Sequence, residues 1–246
     1  ETWSVAGLSG TGTLTVNSGY TLTLGTSYTF SFGTISGAGT LSVASGYTLT
    51  IGANTTFSIP NVSGAGTLSV ASGYTLTIGA NATFSISTVS GAGTIAFGTN
   101  TITINGNETW SVTGLLGTGT LTINSGYILT LGASYTFNFG TVSGAGTLSI
   151  PSGYTLTVNT NSTFSIANVS GAGALTIASG YTLTFSGSNL LPTTLTASGT
   201  LALSGNYTLA TNITNGTGTV QINSGYTLTV ASNLTLGFTT VTGAGT

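Results

Sequence analysis

Large apolar residues return along this chain at a fixed interval. Trp3, Phe30, Phe57, Phe84, Trp110, Phe137 and Phe164 are separated by 27 residues, with a single step of 26. A second apolar column lies five residues beyond each of these, at Leu8, Ile35, Val62, Val89, Leu115, Val142 and Val169. A third lies eleven beyond, at Leu14, Leu41, Leu68, Ile95, Leu121, Leu148 and Leu175. No other feature constrains the fold as strongly. A unit of 27 residues cannot bury its own apolar face, so it must stack on its neighbours.

The local pattern says what is stacked. In SGAGTLSVASGYTLTIGAN, residues 63–81, Leu68, Val70, Leu76 and Ile78 alternate with Thr and Ser, the period of a strand with one buried face. SGAG and ASG supply corners, where Gly adopts backbone angles that other residues resist. Each repeat reads as three short strands, TFSI, GTLSV and YTLTI, with corners at SGAG, ASG and GAN. The expected fold is all-β: a parallel β-helix, or β-solenoid, with one 27-residue coil per repeat and about nine coils. Coils stack about 4.8 Å apart. Equivalent residues then form ladders, aromatic on aromatic, Leu on Leu and Thr on Thr. The fourth copy has GTN in place of ASGY, which accounts for the one short step. A deletion confined to a corner leaves the strands in register.

A longer period lies over the first. Residues 1–53 return nearly unchanged from Glu108 onward, giving a super-repeat of 107 residues. The chain is read as a single solenoid over 1–246, with super-repeats 1–107 and 108–214 and a partial copy 215–246. An irregularity is expected between Leu190 and Gly216, where Pro192 falls on a strand position and would cost a ladder hydrogen bond. Neither end reads as a charged or irregular cap, and the chain starts at Glu1 instead of Met. The expectation is end-to-end stacking of copies, or a processed secreted protein or segment of a longer one.

Composition narrows the chemistry. There are two acidic residues and no Lys, Arg, His or Cys. Without cations the phosphate-neutralising term of nucleic-acid binding is missing, so nucleic acid is not an expected partner. No apolar run is long enough for a membrane-spanning helix, and strands of this length are too short for an outer-membrane barrel. Glu1 and Glu108, the only carboxylates, hold equivalent positions four coils apart, about 19 Å at the strand spacing. Glycosidase pairs need roughly 5–9.5 Å. A Ser nucleophile has no base, and metal ligation has no His, Cys or clustered carboxylates. No catalytic, cofactor-binding or metal-binding residue is assigned, and the chain is read as non-enzymatic.

Asn and Thr are the candidates that remain. Asn54, Asn61, Asn81, Asn107, Asn161, Asn168, Asn206, Asn212, Asn215 and Asn233 lie in N-x-S/T sequons and are candidate glycosylation sites. Asn54, Asn81, Asn107 and Asn161 occupy one corner of the repeat, three residues before the aromatic, where Ser27 and Ser134 interrupt the series. The alternative at that corner is a ladder of amides bonded up the stack. TLT triplets such as 21–23, 48–50 and 75–77 put two hydroxyls outward around a buried Leu. They resemble the Thr-x-Thr arrays of β-solenoid ice-binding proteins, and they also fit the simple preference of Thr for strand surfaces.

The repeated GTLTV-x-SG-YTLT pattern, over nearly the whole chain, resembles the Gly/Ser/Thr-rich β-solenoid repeats of secreted bacterial and archaeal surface proteins, including autotransporter passengers and filamentous adhesins. That resemblance implies an extended extracellular body at the cell surface. The function expected is structural: a glycosylated solenoid that forms or extends a surface filament by end-to-end self-association, with glycans or the cell surface as further partners. The alternative is an ice-binding or carbohydrate-binding solenoid using outward Thr rows.

Overall fold

The computed structural model describes residues 2–3, 10–187, 189–209, 216–230 and 237–246. The chain winds as an all-β parallel solenoid of about 10 turns. Every pairing between described strands is parallel, and most of the strands are bonded to the coils above and below. The repeat supplies short alternating strands but no hairpin turns, so their backbone groups find partners only between coils.

The coil is shorter than the repeat. Along one wall Leu22 pairs with Leu41, Leu41 with Val62, Val62 with Phe84 and Phe84 with Ile104, in steps of 19 to 22 residues. Stacked coils are therefore spaced by about 21 residues, and the expectation of one 27-residue coil per repeat is wrong. The cause is a fourth strand segment. Between Thr55–Ser58 and Thr75–Ile78, the strand Asn61–Val70 bends at Gly64 (φ 113°), putting 61–63 on one wall and 67–70 on the next. The repeat carries four strand segments while a coil has three walls. Each kind of segment moves on by one wall per repeat and returns to its starting wall after four coils, as Thr21–Leu24 and Thr101–Ile104 do.

The ladders are mixed as a result, which corrects the expected aromatic-on-aromatic stacking. Phe57 lies between Ile35 and Ile78, and Phe84 between Val62 and Ile104. These side chains are fully or almost fully buried. Packing explains the preference. A locked 27-residue coil would put the whole column of Phe30, Phe57, Phe84, Trp110, Phe137 and Phe164 on one wall. The offset spreads the aromatics over all three walls and lets the interior fill at even density. Aromatic rings do meet at several points, as at Trp110, stacked on Phe97 (5.7 Å between centroids) and edge-on to Phe84 (5.8 Å), and at Phe30, edge-on to Phe32 (5.3 Å).

The other expectations fare differently. The corner deletion at 98–100 does leave Thr101–Ile104 in register with Thr120–Ile123. Pro192 pairs with Gly171 at a point where that ladder already shifts register. From Leu190 to Gly216 one wall runs on without a break, Thr182–Phe185 pairing Thr200–Leu203 and this pairing Thr219–Ile222. Tyr207–Leu209 instead pairs, among the described residues, with Leu228–Val230 alone, in a separate two-stranded sheet. Residues 210–215 of that region lie outside the described ones.

Candidate functional site

The corner preceding each aromatic carries a pair of positions with opposite duties. The first faces solvent. Asn54, Asn81, Asn107, Asn161 and Asn206 are exposed, and each Oδ1 accepts a hydrogen bond from a backbone N–H of the next coil: Thr75 (2.9 Å), Thr101 (2.8 Å), Ile128 (2.9 Å), Thr182 (2.9 Å) and Thr227 (2.9 Å). Ser27 and Ser134, which interrupt the sequon series, do the same through Oγ, to Thr48 at 3.0 Å and Thr155 at 2.9 Å. At this corner a short acceptor is needed because the strand above begins with a free N–H. The row is therefore side chain to backbone and not the amide-to-amide ladder that was the alternative reading; an amide pair forms elsewhere, from Asn124 Nδ2 to Asn105 Oδ1 at 3.0 Å.

The remaining sequons are placed differently. Asn61 lies on a wall between Thr40 and Thr83, and Asn168 on another between Thr147 and Asn189. Asn212, Asn215 and Asn233 fall outside the described residues, as does Glu1.

The second position of the corner points inward: Tyr28, Thr55, Ala82, Glu108, Tyr135, Ser162 and Tyr207 are all buried. Thr55 Oγ1 donates to the Phe32 carbonyl (2.8 Å) and Ser162 Oγ to the Phe139 carbonyl (2.7 Å). Tyr135 donates to the Trp110 carbonyl (3.0 Å), and Tyr207 to those of Phe185 (3.1 Å) and Gly187 (2.8 Å). Burial pushes the Tyr207 phenol up to about 12, with Tyr226 adding to the rise. This mostly polar column, with Ala82 its one apolar member, was not singled out in the sequence, although its place two residues before the aromatic, or before Leu209 in the case of Tyr207, was there to find.

Glu108 occupies that column and is 2% exposed. Its Oε2 accepts from the Trp110 indole N–H at 2.8 Å, and Oε1 makes no hydrogen bond of ordinary geometry among the described residues. Burial raises its pKa to about 8 against the opposing pull of Trp110 and of the Ile86 backbone. The carboxyl is therefore neutral in the fold across mildly acidic and neutral pH. Stabilisation from the protonated form is complete below the unfolded pKa near 4.5 and is lost as pH rises through about 8. Each pKa unit is worth about 1.4 kcal/mol, so the loss amounts to several kcal/mol. With no His, Lys or Asp in the chain, little else titrates over this range. Melting followed across it should show a falling melting temperature, and Glu108→Gln should flatten the profile. A flat profile in the unsubstituted chain would contradict the assignment.

Among the described residues no three His, Cys, Asp or Glu side chains gather where a metal could sit. The outward hydroxyls form rows, but the TLT triplets do not share a wall. Thr21–Leu24 pairs into one ladder, Thr48–Ile51 into a second and Thr75–Ile78 into a third. No protein-family model, curated protein or solved structure matches this chain.

Proposed function

We propose that this chain is the body of an extracellular structural solenoid, one that forms or extends a surface filament and does no chemistry of its own. The observation that supports this reading best is the offset between a 27-residue repeat and a coil of about 21 residues. A module built to recognise a ligand on one flat wall gains from locking repeat to coil, so that its recognition residues align. Here each segment visits all three walls in turn, and the surface is averaged around the axis. What the repetition does preserve is the axial set of inter-coil hydrogen bonds and the mixed apolar interior, the two features that carry an elongated body. End-to-end stacking of a second copy would extend the same parallel bonding. The resemblance to secreted surface-protein repeats supports an extracellular setting for such a body.

Electron microscopy of concentrated protein is expected to show fibres with a strand spacing of about 4.8 Å along the axis. A strictly monomeric particle under the same conditions would count against the filament. The ice-binding alternative makes a separate forecast, since it requires thermal hysteresis. The scattering of TLT triplets over three walls leads us to expect none.

A further inference from the structure

We infer that the exposed corner asparagines Asn54, Asn81, Asn107, Asn161 and Asn206 are sites of N-linked glycosylation, set in a spiral around the solenoid. This rests on the extracellular reading above. Each of the five has its Oδ1 fixed by a backbone N–H of the next coil, at 2.8–2.9 Å. No hydrogen bond among the described residues engages Nδ2 of any of them. Glycosylation takes place at that second atom. Nδ2 attacks the anomeric carbon of a sugar carried on a phosphate leaving group. The N–C bond forms, the C–O bond breaks with its electrons leaving on the phosphate oxygen, and one Nδ2 proton is lost to solvent. Oδ1 keeps its lone pairs, so the corner hydrogen bond survives the modification.

The offset of repeat and coil makes room for the glycans. Asn54 precedes a strand on one wall, Asn81 a strand on the next and Asn107 a strand on the third. Asn81 and Asn161 return to the same edge only after four coils, about 19 Å along the axis. Had the repeat matched the coil, the same asparagines would rise along one edge every 4.8 Å or so and the sugars would collide. The spiral instead hydrates all three edges of a body that carries almost no charge.

The test is the full chain expressed in a host that N-glycosylates secreted proteins, examined by intact mass and by peptide mapping after enzymatic conversion of each occupied Asn to Asp. Occupancy is expected at the five corners. The bare polypeptide mass, or sugars on Asn61 and Asn168 with the corners empty, would overturn the inference. Ser27→Asn adds an independent arm, because it places a sequon before Tyr28 and Thr29 at a corner whose acceptor role Ser27 already fills. One further glycan with an unchanged melting temperature is expected. No added mass, or a destabilised fold, would tell against it. Fibres formed by sugar-free protein would leave the filament reading intact while removing this one.

Discussion

Removing residues 58–84, one sequence repeat, is expected to leave a folded and slightly shorter solenoid, whereas removing residues 63–84, one structural coil, should destroy the stacking around the junction. The intuitive outcome is the reverse. In the first deletion Phe57 runs into Ser85, and Val89 takes the place of Val62. Every pair of stacked segments is then of a kind already present, with Gly91 lying against Val43 as Gly64 does now. In the second, Val62 runs into Ser85 and Ile86 takes the place of Gly64, its register partner. A Cβ at that point would lie 2.1 Å from the Val43 carbonyl oxygen. A solenoid depends on nearest-neighbour contacts, so phase with the sequence repeat matters more than completeness of the coil. Circular dichroism melts of both deletions would decide it: a cooperative transition in the coil deletion, or its loss in the repeat deletion, contradicts the forecast.

Gly91→Ala is the point-mutation version of the same constraint. Gly91 has φ 116°, and an added Cβ would sit 2.2 Å from the Val70 carbonyl oxygen and 2.7 Å from the Val70 nitrogen. Those atoms are backbone of the coil below and cannot swing aside. The chain must either lift off Val70, giving up inter-coil bonds, or distort the bend that carries it between walls. We expect a loss of more than about 4 kcal/mol, in the range reserved for clashes with no route to relax. Gly73→Ala is the control. Its φ is 82°, yet nothing lies within 4 Å of the position a Cβ would take. Only the left-handed backbone is penalised there, by about 1–2 kcal/mol. Urea midpoints of the two variants should differ accordingly, and equal losses would show that the close approach to Val70 is not the limiting contact.

These expectations rest on features that were unevenly legible. The parallel solenoid followed from period and alternation, and the corner glycines were recognisable as corners. The size of the coil was not. Val62 and its equivalents stood out as an apolar column, but the bend after Phe57 has no constant turn residue: Pro60 stands in one copy, Ser87 in the next and Gly140 in another. A solenoid corner needs only a small change of direction, with apolar Ile59, Ile86 or Phe139 buried inside it. It leaves no constant Gly or Pro signature to read, so a strand of its own was absorbed into the connection. At the sequon corner the asparagines were visible. Their backbone partners about 21 residues away were hidden, because that distance is the coil length itself.

What the sequence determined by itself is local: which residues face in, where Gly is required, and the fact that units stack and that almost nothing in them can act as acid, base or ligand. What only the tertiary structure decided is phase. Alternation and turn propensity act over a few residues and are written in each copy. Which segment lies above which depends on how many strands close one turn around a shared core, and here three walls packed with mixed ladders close it. That single choice scatters the Thr triplets, spirals the asparagines, and sets Gly91 against the backbone of Val70.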